Sequence, residues 1–176
     1  MQSRLSIYNL HCICSLERQL RSPPTPLADE NTGIPHFDSK WKIEEHLRGT
    51  NLPYTILRPV FFMENWLTMK DLLAQGPLML PLKPETILQQ IAVDDIGAFA
   101  AIASEHPGKW NGTATDLAGD ELLVDQIAQS LQTSFTQIPW EDFEKQSGPE
   151  MTAMFKWFEN VGTTRTLRTC GENTKA

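Results

Sequence analysis

Residues 36–65, HFDSKWKIEEHLRGTNLPYTILRPVFFMEN, decide how the chain is read. They parse as a helix, a tight connection, a short strand, and a strand-end loop that runs into a second helix. Asp38 or Ser39 can cap the first helix by accepting from free backbone N–H groups, and Ile43 and Leu47 recur four apart on one face. A helix is thus predicted over 38–47, with Gly49 as its stop. Tyr54-Thr55-Ile56-Leu57 is continuously β-prone rather than alternating, the pattern of a strand covered on both faces in a parallel sheet, and Pro59 ends it. Ligands of open α/β sheets sit beyond the carboxyl ends of the strands, which directs attention to residues 59–65.

This stretch resembles the corresponding part of the NmrA-like proteins, atypical short-chain dehydrogenase/reductases that bind NADP. The similarity runs from about residue 32 to about residue 162 and takes in IAVDDIGAFAA and the helical ending EMTAMFKWFENVG. It implies an α/β fold: the later portion of a doubly wound Rossmann-type fold plus the small substrate or partner subdomain, with the amino-terminal nucleotide-binding half missing. Such a half opens with a strand, a GxGxxG-type turn and a helix whose N-terminus takes the pyrophosphate, and no glycine precedes Gly33. The expected organisation is a non-homologous, disordered leader over 1–31, containing the proline-rich SPPTP, a partial NmrA-like domain over 32–162, and a polar, disordered tail over 163–176. A truncated protein or an incomplete gene model accounts for this; a short natural variant is the alternative.

Composition bounds the rest. A chain of 176 residues with 40% hydrophobic content can build one domain with a real core. A net charge of −7, without clustered Lys and Arg, argues against direct nucleic-acid binding. Cys12, Cys14 and Cys170 lack the spacing of a disulfide framework or a four-ligand zinc site, pointing to a reducing, cytoplasmic or nuclear location. The apolar residues of 5–14 are too few and too interrupted for a membrane span.

Beyond residue 65 the pattern predicts a helix over 62–75 and a proline-punctuated edge strand or loop over 77–84. A strand over 87–93 follows, then a helix capped by Asp94 or Asp95 and running through Ile96, Phe99 and Ala103. Asn111-Gly112 signals a turn before a strand at 113–118. An amphipathic helix at 122–131, a last strand at 135–140 and helical sequence from Glu141 complete the series.

Lys40 is the foremost candidate for chemistry. Short-chain dehydrogenases use Tyr-x-x-x-Lys, in which the lysine holds the nicotinamide ribose hydroxyls and lowers the pKa of the tyrosine, the proton donor or acceptor. Here the lysine is present and His36 stands where the tyrosine would be. The resemblance implies a ribose contact for Lys40; the plain alternative is a solvated helix lysine. His36 is a weak catalytic candidate, since a loop histidine needs no function. Phe62, Met63, Glu64 and Asn65 match a family segment that wraps the nicotinamide end of the cofactor, with Asn65 the best polar candidate; equally, Phe61, Phe62 and Trp66 can be core residues at a strand-to-helix junction. Asp94 and Asp95 read as helix capping rather than metal or acid/base residues, and no HExxH, nucleophile elbow or P-loop occurs.

The resemblance therefore implies an NADP-sensing regulator without turnover of its own, which acts through protein partners such as a transcription regulator. An NAD(P)H-dependent reductase of a small carbonyl or quinone is the alternative, and a fragment without function is a third.

Overall fold

The computed structural model describes residues 32–161. The expected leader over 1–31 and the expected tail over 163–176 lie outside the described residues. Helix α1 spans Pro35–Arg48 and starts about one turn earlier than predicted, because Pro35 at its first position already has a helical φ and lacks only an N–H that would be unsatisfied there. Neither expected cap is one. Ile34 holds the cap position without a side-chain bond, while Asp38, inside the first turn, accepts from the Thr32 N–H at 3.0 Å and hydroxyl at 2.7 Å. The Ser39 hydroxyl donates to the His36 carbonyl. Gly49 does end the helix, its N–H donating to the carbonyls of Glu45 and His46.

Strand β1, Thr55–Pro59, is buried from Ile56 onward and includes Pro59, which was expected to end it. Its one-residue offset from the expected 54–58 leaves the element as read. After β2 (Phe61–Phe62), the single helix expected over 62–75 is instead two short ones, α2 (Glu64–Thr68) and α3 (Lys70–Leu73). Then come β3 (Leu78–Leu80), β4 (Ile87–Ile91), α4 (Val93–Glu105) and α5 (Pro107–Trp110). Ala92 holds the cap position of α4 with no side-chain bond, so Asp94 and Asp95 are first-turn acids favoured by the helix dipole rather than caps. The chain continues through β5 (Thr113–Leu117), β6 (Asp120–Leu123), α6 (Val124–Ser130), β7 (Phe135–Gln137) and α7 (Trp140–Val161). The expected helix over 122–131 thus begins as strand: Leu122 and Leu123 pair with β4, and only from Val124 does the chain turn helical.

The described residues form two compact units, where the sequence suggested one domain with a subdomain. One comprises residues up to Phe62 together with Ile91–Leu117, and the other comprises Met63–Gln90 together with the residues from Ala118 on. The chain therefore passes between them after Phe62, after Gln90 and after Leu117. In the first unit β1 and β5 pair in parallel, Thr55 opposite Thr113 through Pro59 opposite Leu117. Parallel strands need a crossover, and α4, which returns the chain to β5, lies against β1. Among the described residues no strand pairs with the other edge of β1. Phe37, Ile56, Leu57 and Val60 form much of this unit's core.

In the second unit β4 and β6 are antiparallel, Ile87 opposite Leu123, and β3 pairs with β7 in parallel, Leu78 opposite Phe135. Helix α7 buries Phe143, Met154, Phe155 and Phe158, with the rings of Phe143 and Phe155 4.9 Å apart. Gly148, at φ 84° and ψ 168°, followed by Pro149, breaks α7 into two helical segments. No helix among the described residues is long and apolar enough to cross a membrane.

Candidate functional site

Residues four apart on a helix share a face, so His36, Lys40 and Glu44 form one row along α1. Glu44 is 7% exposed, and it is anchored: Arg58 on β1 donates to its carboxylate through Nε at 2.9 Å and Nη2 at 2.7 Å. Arg48 adds a bond of 3.0 Å, and Asp116 on β5 lies 3.7 Å from Arg58 Nη1. Two cations and two anions thereby tie α1, β1 and β5 together. A paired fork of this kind fixes geometry as well as charge.

Lys40, one turn before Glu44, is half-buried, and its ammonium makes no hydrogen bond or ion pair among the described residues. Burial holds its pKa below the ordinary lysine value, since the charged form loses solvent there. It is therefore not the fully solvated lysine of the plain alternative. His36 lies in the first turn, its ring edge-on to Phe37 at 4.7 Å.

Phe62 ends β2 half-buried, and half-buried Met63, Glu64 and Asn65 open α2. Lys40 and Phe62 belong to one unit, and Met63 to Asn65 to the other. Phe61 and Trp66 are core residues, as the plain alternative held; the Trp66 indole N–H donates to the side-chain oxygen of Gln90, which is buried on β4. The Asn65 main-chain carbonyl accepts from the Thr68 hydroxyl at 2.7 Å, and the Asn65 side-chain amide makes no hydrogen bond among the described residues. Asp94 and Asp95 are exposed, and no cluster of three or more His, Cys, Asp or Glu side chains able to hold a metal occurs among the described residues.

Sequence reasoning missed Glu44, Arg58 and Gln90. A signal was present: Arg58 lies in a run read as buried on both faces, where a charge persists only with a partner, and Gln89-Gln90 interrupts another strand in the same way.

Comparison with known proteins gives three findings. The family model described as NmrA-like matches residues 26–175. Prestalk A differentiation protein A of Dictyostelium discoideum is 29% identical over 109 residues, covering 60% of this chain and 36% of that protein. A crystal structure of a nucleoside-diphosphate-sugar epimerase from Staphylococcus aureus has a TM-score of 0.60 at 17% identity, over 72% of this chain and 49% of that one. At that identity the likeness speaks for the fold alone: mixed α/β with parallel strands, consistent with part of a Rossmann-like arrangement. This chain spans about a third of the first relative and about half of the second.

Proposed function

The chain belongs to the NmrA-like family, and from that membership we propose that it serves an NAD(P)-responsive regulatory role rather than acting as a reductase. Lys40 carries the proposal. It keeps the position and helix setting of the lysine that holds the nicotinamide ribose, it is half-buried, and it has no partner among the described residues. The proton donor is a different matter: His36 occupies the tyrosine position, and hydride transfer to a carbonyl requires a positioned acid. Phe62, in the same unit as Lys40, supplies an aromatic ring for the nicotinamide end. The pyrophosphate and adenosine are held elsewhere, by a glycine-rich turn and helix N-terminus that residues 32–161 do not contain. A change in occupancy then alters contact with a protein partner, a transcription regulator being the kind the family suggests.

The test joins residues 32–161 to a strand, glycine-rich turn and helix half from a relative. NADPH binding is followed by calorimetry, and NADPH oxidation is followed with a panel of carbonyls and quinones. Binding without oxidation supports a sensor. Oxidation that requires His36 makes the protein a reductase, and no binding at all removes the dinucleotide from the account.

A further inference from the structure

Asn111 and Gly112 connect α5 to β5. An asparagine followed by glycine is the dipeptide in which a chain most readily attacks its own side chain, because no Cβ shields the glycine nitrogen. Here both reacting groups are held by one residue, Tyr54, which immediately precedes β1. Asn111 Oδ1 accepts from the Tyr54 N–H at 3.0 Å, and the Gly112 N–H donates to the Tyr54 carbonyl at 2.7 Å. Asn111 is extended, at φ −62° and ψ 133°, which keeps its side-chain carbonyl carbon away from the Gly112 nitrogen. The preceding carbonyl, that of Trp110, accepts from the hydroxyls of Thr55 and Thr113 at 3.0 and 2.6 Å, so the flanking turn is held as well. Water still reaches the turn: Asn111 and Gly112 are exposed, and nothing lies within 4 Å of where a Cβ on Gly112 would be.

We propose that Asn111 is a spontaneous deamidation site whose rate is set by opening of the first rungs of the β1–β5 ladder. On opening, the Gly112 nitrogen gives its proton to a solvent base and attacks Asn111 Cγ. The new N–Cγ bond closes a five-membered imide, the Cγ–Nδ2 bond breaks, and the amide nitrogen leaves as ammonia after taking up a proton. Water then opens the imide at either carbonyl, giving aspartate or isoaspartate; no oxidant or reductant takes part. The isoaspartate product lengthens the main chain by one carbon and adds a negative charge. Gly112 then cannot donate to Tyr54 while Thr113 stays opposite Thr55, so each converted chain opens more easily than its parent.

A time course on the full 176-residue chain at mildly alkaline pH tests this, using peptide mass mapping and isoaspartyl methyltransferase labelling in native buffer and in urea. A third sample is Thr113→Val, which removes one hydroxyl bond to the Trp110 carbonyl and leaves both reacting groups in place. Conversion at Asn111 is expected to be slower in buffer than in urea by roughly tenfold or more, the factor being the small population of the opened ladder. Thr113→Val in buffer should fall between the two. Equal rates in buffer and urea overturn the proposal, as does a Thr113→Val rate no different from the parent's.

Discussion

Lys40 sits in a half-buried site and has no ion-pair partner among the described residues, and the consequence for stability has a definite sign. Its folded pKa is below 10.5, so between the two values the unfolded chain binds more protons than the folded one, and stability rises with pH across that window. Below the window the charged ammonium costs stability throughout. Lys40→Met is therefore expected to be more stable than the parent at neutral pH, with the difference closing as pH climbs toward 10.5. Urea midpoints at a series of pH values measure it; a difference that grows with pH would contradict the burial account. The same residue has a second, functional expectation. In the chain joined to a glycine-rich half, Lys40→Ala should weaken NADP binding by about 1–3 kcal/mol, the loss of one charged hydrogen bond. His36→Ala should change it little, and equal losses would refute the roles given to the two.

Between elements, the Glu44–Arg58 pair fixes how α1 meets β1. Removing one partner leaves a buried charge, so Glu44→Ala should cost about 3–5 kcal/mol, whereas Glu44→Met combined with Arg58→Leu should cost much less. A double variant as unstable as the single one would mean that packing, not charge, dominates there. Gly148→Ala tests α7: its backbone lies in a region that glycine alone enters readily, and the substitution should cost about 1–3 kcal/mol by urea unfolding. Much of this level was legible beforehand. The run at 54–57 announced a strand because β-branched and aromatic residues without alternation suit two covered faces, and Thr55–Pro59 is that strand. Leu123, Ile127 and Leu131 have helical spacing, yet Leu122 and Leu123 belong to β6, since a short apolar run fits either period and the pairing with Leu88 and Ile87 on β4 decides. The lysine of the candidate site could be found from its tetrad. Its setting could not, because the Glu44 anchor depends on an arginine from another element.

At the scale of the molecule, β1 has a partner on one side alone among the described residues. An edge of unpaired N–H and C=O groups invites another strand. Residues 32–161, made as a piece, should therefore associate with rising concentration in sedimentation velocity; a monomer at every concentration would show the edge to be protected. The three passages of the chain between the units have a different outcome. Neither unit is a contiguous run of sequence: one needs residues on both sides of 63–90, and the other needs residues on both sides of 91–117. No single cut can release either one whole, and a piece such as 91–161 carries an incomplete share of each. Moving one uninterrupted segment of the gene therefore transfers neither unit whole.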